Sequence, residues 1–274
     1  MTSPSDLGPN EFEAPPGRPS SFDEWLLAFK EQASFFTGLK LDVGIPRWRL
    51  ADVLPVLPVI GACVGLGAGL VFAVVRGVAG PGWLAAVLAV GAAVLITRAL
   101  HEDGLADTAD GLGPHGLEAS RRLEIMRDSR NGTFGVLAIA LSVLVKVACL
   151  APFGGATGLV VLISAHAVSR AVIAYPLLAF SPAQDNGLGA RVGKPTDNDV
   201  WIAVGIGVAL AFLLLLGKGF FVALLAPIAA CAAAGGAAHW IAKRLGGYTG
   251  DTLGAVQQTA EIAFLVVAAL FIAR

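Results

Sequence analysis

Val53-Leu-Pro-Val-Leu-Pro-Val-Ile-Gly-Ala-Cys-Val-Gly-Leu-Gly-Ala-Gly-Leu-Val-Phe-Ala-Val-Val75 runs for twenty-three residues without a charge. As a helix it would rise about 35 Å, and about 20 apolar residues suffice to cross a hydrocarbon core of ~30 Å. The run reads as a transmembrane span. Gly61, Gly65 and Gly69 recur in it at four-residue steps, a stripe of small residues that lets another helix approach closely in lipid.

Further apolar stretches follow at about 82–100, 133–152, 157–180, 200–217, 219–242 and 257–273. The last is short unless its helix begins near Gly254. Hydrophobic residues make up 56% of the chain and charged residues 14%, with a mean hydropathy of +0.75. A soluble domain carries about 25% charged residues. The expected fold is therefore all-α, a polytopic membrane bundle of about seven transmembrane helices.

Upstream, Ser21 and Glu24 fit a capping box. Phe22, Trp25, Leu26, Phe29, Ala33 and Phe36 recur at three- and four-residue steps, the stripe of an amphipathic helix lying in the membrane interface. Residues 1–20 read as a disordered tail, rich in Pro, Ser and Gly and without the apolar core of a signal peptide. Residues 21–274 read as one membrane-embedded domain.

A net charge of −1 offers no basic field for nucleic acid. Cys63, Cys149 and Cys231 are far apart in apolar stretches, as buried small hydrophobes would be. With seven spans, fourteen Lys and Arg residues fall on the N-terminal side of the membrane. Only Arg76, Lys218 and Arg274 fall on the other, and Lys146 and Arg170 lie within spans. The positive-inside rule then puts the N-terminus and long loops in the cytoplasm, with the chain in the plasma (inner) membrane.

The chemistry concentrates in His101-Glu-Asp-Gly-Leu-Ala-Asp-Thr-Ala-Asp-Gly111, read as a loop leaving the second span. Asp103, Asp107 and Asp110 stand at i, i+4 and i+7, so on a helix they share one face. Three neighbouring carboxylates repel one another unless a cation sits among them. Hard oxygen ligands, with waters and substrate phosphates completing the shell, suit Mg²⁺. A carboxylate-bound Mg²⁺ bridged to a diphosphate stabilises charge in phosphoryl transfer.

A second cluster closes this region. It comprises Arg121, Arg122, Arg127, Asp128, Ser129 and Arg130, then Gly132-Thr133-Phe134-Gly135 opening the third span. Arg127 and Arg130 are candidate phosphate clamps, with Ser129 and Thr133 as further substrate contacts and Asp128 as a further metal ligand. Arg121 and Arg122 read as positive-inside anchors. The Gly/Thr-rich helix start presents free N–H groups to an anion. Gly246-Gly-Tyr-Thr-Gly-Asp-Thr-Leu-Gly254 leads into the last span, where Asp251 is a candidate metal ligand and Thr252 a substrate contact. Lys146, His166 and Arg170 are costly in hydrocarbon and should face protein or a wet cavity. Arg170, near mid-span, can meet a substrate phosphate or an ion-pair partner.

These motifs together resemble cobalamin synthase, the adenosylcobinamide-GDP ribazoletransferase family. The resemblance rests on His101–Gly111, on Glu124-Ile-Met-Arg-Asp-Ser-Arg-Asn-Gly-Thr-Phe-Gly135 and on Gly250-Asp-Thr-Leu-Gly-Ala255, and spans roughly residues 22–270. It departs at Glu102, where the family more often has an apolar residue, at Asn131, which replaces a usual aliphatic, and in a longer Phe35–Pro46 segment. The resemblance implies a Mg²⁺-dependent membrane enzyme joining adenosylcobinamide-GDP to α-ribazole or its 5′-phosphate with release of GMP. In that reading Asp103, Asp107 and Asp110, with Asp128 or Asp251, hold the metal. The ribazole 5′-hydroxyl attacks, and a carboxylate or His101 takes its proton. Partners would be the two substrates and the bilayer, with a homo-oligomer or other corrinoid-pathway enzymes as further candidates.

Two rivals are weaker. Asp107-x-x-Asp110-Gly111 echoes the opening of the CDP-alcohol phosphotransferase motif, but Leu112-Gly-Pro-His115 stands where its Ala-Arg pair belongs. A prenyltransferase needs a second Asp-rich element. A transporter should concentrate polar residues at mid-membrane and show repeats, whereas most charge here lies in the loops.

Overall fold

A computed structural model describes residues 18–43, 46–128, 130–185 and 187–272. Most of the expected N-terminal tail, and Ser129, lie outside the described residues. Among the described residues twelve α-helices follow in order: α1 (Phe22–Phe36), α2 (Val56–Gly77), α3 (Gly82–Thr97), α4 (Leu100–Leu112), α5 (Ala119–Ile125), α6 (Thr133–Leu150), α7 (Gly155–Ala171), α8 (Ala174–Ala179), α9 (Leu188–Arg191), α10 (Asp197–Leu216), α11 (Phe220–Leu245) and α12 (Gly250–Ile272). Among the described residues the only β pairing is a bridge between Pro182 and Tyr248. The chain is all-α, as its apolar periodicity requires.

The helices α2, α6, α10, α11 and α12, with α7 continued by α8, are long and apolar enough to cross a membrane. The outer surface confirms an inside-out environment. Leu70, Leu95, Leu144, Leu213, Trp83 and Trp201 are all exposed, a surface that water would not tolerate and lipid does. The last span is not short, since its helix starts at Gly250, four residues before Gly254.

The Ser21 capping box forms, with the hydroxyl accepting the Glu24 N–H at 3.2 Å and the Glu24 carboxylate accepting the Ser21 N–H at 3.3 Å. Behind it α1 buries Ala28, Ala33 and Phe36 while Phe22, Leu26 and Phe35 stay exposed. The glycine stripe of α2 lies directly on the α7 backbone. A Cβ at Gly61, Gly65 or Gly69 would collide with His166, Leu162 or Leu159.

The second span differs from the sequence expectation. It ends at Thr97, after 16 residues, about 24 Å of helix. Arg98 and Ala99 then take positive φ (52° and 58°), and α4 leaves at 90° to α3. The acidic run is therefore a helix, bent sharply away from the apolar α3. Its first turn reaches α12 at Gln258, and its last turn reaches the start of α6 at Gly132. The physical reason is charge: carboxylates cannot face lipid, so the apolar α3 stops and the polar α4 turns inward between α6 and α12.

Candidate active site

The acidic face of α4 meets the N-terminus of α12. The two backbones touch because glycine stands at both crossings: a Cβ on Gly104 would lie 2.5 Å from the Asp251 carbonyl oxygen, and one on Gly254 would lie 3.2 Å from that of His101. This crossing carries Asp251 to the α4 stripe, and the negative charges of Asp103, Asp251 and Asp110 all act on the Asp107 carboxylate. Asp103 is exposed, Asp107 and Asp251 are half-buried, and Asp110 is buried.

Asp110 has a second duty. Its Oδ2 accepts the Gly132 N–H at 2.7 Å and its Oδ1 the Gly135 N–H at 2.9 Å. The free N–H groups at the start of α6, expected to receive a substrate anion, are thus partly taken by the protein's own carboxylate. Such a cap also suits the positive end of the helix dipole. Thr133, in the same turn, is exposed.

The arginines divide by role. Arg122 is buried and donates to the Gly111, Leu112 and Leu117 carbonyls, closing the C-terminal end of α4. It is a structural clasp more than a surface anchor. Arg121 makes only an exposed pair with Glu124. Arg130 pairs with Asp128 at 2.7 Å, and its guanidinium holds the exposed Asp128 carboxyl down to about 2. Asp128 is not among the groups acting on Asp107. Arg127 instead reaches across to Gln184 Oε1 at 2.7 Å.

That bridge spans a cleft lined by Met126, Arg127, Gln184, Gly189, Tyr248 and Asp251 among others. Its wall is held by backbone pairing, with Ala183 N–H donating to Tyr248 O at 2.8 Å and Tyr248 N–H to Ser181 O at 3.1 Å. The cleft thus has a carboxylate, Asp251, on one side and a guanidinium, Arg127, on the other. Thr252 does not point its hydroxyl into it freely: Oγ1 accepts the Thr249 N–H at 2.8 Å and donates to Thr249 O at 2.9 Å, capping α12.

Among the described residues no group of three or more His, Cys, Asp or Glu side chains is arranged to enclose a metal ion. The donor set fits Mg²⁺ in another way. Asp103, Asp107 and Asp251 offer only oxygen, and Mg²⁺ is commonly held by one or two carboxylates with waters and substrate phosphates. The mutual repulsion at Asp107 is what such a cation would relieve.

Below this site lies a second polar group that the sequence shows only as scattered residues. Lys146 (α6), Glu102 (α4), His166 and Arg170 (α7), and Gln257, Gln258 and Glu261 (α12) are all buried. Lys146 Nζ lies 2.9 Å from Glu261 Oε1 and donates to Gln258 Oε1 at 2.7 Å. Arg170 Nη1 meets His166 Nδ1 at 2.8 Å. Arg170 is therefore an inner residue, with a protein partner and 2% exposure. His101 is also 2% exposed; its ring stacks on Phe36, and neither nitrogen has a hydrogen-bond partner. The signal missed in the sequence was Gln257-Gln258, a polar pair one turn before Glu261 in an otherwise apolar span.

A family model described as cobalamin-5-phosphate synthase matches residues 28–269. A protein of Allorhizobium ampelinum called adenosylcobinamide-GDP ribazoletransferase is 42% identical over 217 residues, covering 76% of this chain and 82% of its own. One of the same name from Bradyrhizobium diazoefficiens is 42% identical over 242 residues, covering 87% of this chain and 92% of its own. A third, from Mesorhizobium japonicum, is 42% identical over 242 residues, covering 86% and 90%. No solved structure matches the chain.

Proposed function

The chain belongs to the cobalamin-5-phosphate synthase family, and from that membership we propose that it is the transferase its relatives are named for. It moves the adenosylcobinamide-phosphate group from adenosylcobinamide-GDP to α-ribazole or its 5′-phosphate and releases GMP. The observation that carries the reading is the crossing of α4 and α12, which gathers Asp103, Asp107 and Asp251 beside a cleft that Arg127 overhangs.

In this reading Asp107, with Asp103 or Asp251 beside it, would hold Mg²⁺ through one or two carboxylates, with the Asp110 charge behind them. Bound there, Mg²⁺ would offset the charge of the diphosphate. Arg127 binds the phosphates by exchanging the neutral Gln184 oxygen for an anionic phosphate oxygen, so that the guanidinium donates to a charged acceptor. Arg130 can do the same only by releasing Asp128.

An acceptor hydroxyl attacks the cobinamide-side phosphorus, the bond from that phosphorus to the GMP oxygen breaks, and GMP leaves. The family description names a 5-phosphate product. A 5′ oxygen that already carries phosphate cannot be the nucleophile, so the 5′-hydroxyl expected from the sequence gives way to another ribose hydroxyl. Its proton would pass to a carboxylate of the acidic site that does not hold the metal; the buried, Phe36-stacked His101 ring is poorly placed to receive it.

The Lys and Arg asymmetry supports a cytoplasmic site in the inner membrane. The chain in lipid vesicles, given adenosylcobinamide-GDP and α-ribazole 5′-phosphate, should release GMP only when Mg²⁺ is present. Folded protein that turns over neither ribazole form would overturn the reading.

A further inference from the structure

The contact between α4 and α12 that builds the acidic site has no side chains of its own at its two closest points, Gly104 and Gly254. Backbones in such contact can slide or rotate unless something fixes their register. One turn beyond Gly254, Gln258 donates through Nε2 to Glu102 Oε1 on α4 at 2.9 Å. Its own Oε1 accepts from Lys146 Nζ at 2.7 Å and from Ser142 Oγ at 3.2 Å, both on α6. Lys146 Nζ also lies 2.9 Å from Glu261 and 3.7 Å from Glu102. A single ammonium therefore meets both helices that carry the candidate ligands. Lys146 is 3% exposed, Glu261 3% and Gln258 1%, so water does not compete for these bonds. The clamp joins α4 at the residue next to Asp103.

We infer that Lys146 is a positioning residue for the diphosphate site: through Gln258, Glu102 and Glu261 it sets α4 against α12, and so fixes Asp103 and Asp107 relative to Asp251. A buried lysine is costly to leave unpaired, and so is the carboxylate it would abandon. Without Lys146, Glu102 and Glu261 are two buried carboxylates with less cation between them. The relief available to them is separation of α4 from α12, which opens the acidic site one turn away. The inference rests on reading Asp103, Asp107 and Asp251 as the metal-binding group.

The test is Mn²⁺ binding, followed by electron paramagnetic resonance, to the full chain purified in nanodiscs, with Mg²⁺-dependent GMP release measured beside it. Folded Lys146→Met should need at least tenfold more Mn²⁺ for half-saturation. The Mg²⁺ needed for half-maximal rate should rise by a similar factor, while the KM for α-ribazole stays within twofold. Lys146→Arg, which keeps charge and donors, should stay within about threefold of wild type. Gln258→Leu cuts the bond to α4 without removing a charge, and it should weaken Mn²⁺ binding in the same direction even if Lys146→Met does not fold. A merely stabilising role would lower thermal stability but leave Mn²⁺ half-saturation of the folded Lys146→Met and Gln258→Leu proteins within twofold, and that result overturns the inference. If wild type binds no Mn²⁺, or Asp107→Asn binds it as wild type does, the metal-site reading fails and the inference falls with it. If Asp107→Asn abolishes binding and the clamp variants do not alter it, the inference alone fails.

Discussion

Asp110 accepts the Gly135 N–H through Oδ1 at 2.9 Å while its other oxygen accepts the Gly132 N–H. The third acid of the α4 stripe is thereby tied to the start of α6, whereas Asp103 and Asp107 make no such bonds to that turn. One face of one helix carries two kinds of carboxylate, and substitution should separate them.

Asp110→Asn replaces one accepting oxygen with a donor that faces an N–H. The lost bond and the unsatisfied donor should cost about 1–3 kcal/mol of stability, read as a lowered melting temperature in detergent. Asp107→Asn removes charge repulsion and should keep or raise the melting temperature of the metal-free protein. An Asp110→Asn protein as stable as wild type would refute the capping role.

The helix crossing predicts a sharp contrast between glycines. Gly104→Ala puts a Cβ 2.5 Å from the Asp251 carbonyl oxygen and should cost about 1–3 kcal/mol by overpacking, with a fall in GMP release. Gly235 in α11 has nothing within 4 Å of its Cβ position. Gly235→Ala should leave activity intact and hold or gain up to about 1 kcal/mol from helix propensity. Thermal melts of the two purified variants, run with the rate assay, check both arms.

Arg127 and Arg130 should differ although only two residues separate them. Arg127→Ala should reduce kcat/KM for adenosylcobinamide-GDP at least tenfold, about 1.4 kcal/mol of transition-state stabilisation. Arg130→Ala, whose side chain is already paired with Asp128 and largely in solvent, should change it less than threefold. Steady-state kinetics with varied adenosylcobinamide-GDP decide the matter, and equal losses would mean that Arg130 releases Asp128 to bind substrate.

The orientation is open to a labelling test. In a variant lacking Cys63, Cys149 and Cys231, Ser120→Cys between α4 and α6 should react with a membrane-impermeant maleimide only after the inner membrane is broken. Lys218→Cys, in the turn between α10 and α11, should react in spheroplasts left intact. The reverse pattern would invert the topology.

Much of this was legible in the sequence because lipid imposes one rule on every span. Uncharged runs such as 53–75 have no alternative, and the Ser21 capping box is a local pattern that needs no partner from elsewhere. The i, i+4, i+7 spacing of Asp103, Asp107 and Asp110 likewise foretold a shared helix face. What stayed hidden depends on contacts distant along the chain. Nothing local marks Arg98 and Ala99 as the break in the second span, since neither is the glycine that positive φ favours. Asp110 shows no sign of its bonds to Gly132 and Gly135, twenty-two and twenty-five residues on. Lys146 and Gln258 meet across 112 residues, and only the cost of each in hydrocarbon signals that they must meet something.

The central claim is that the α4 stripe, with Asp251, binds the metal on which transfer depends. The most direct measurement is Mg²⁺-dependent GMP release by Asp107→Asn, at wild-type abundance in vesicles, from adenosylcobinamide-GDP and α-ribazole 5′-phosphate. The predicted result is a loss of at least a hundredfold, about 2.7 kcal/mol, in a protein with an undiminished melting temperature. Release within a few-fold of wild type from that variant would contradict the account.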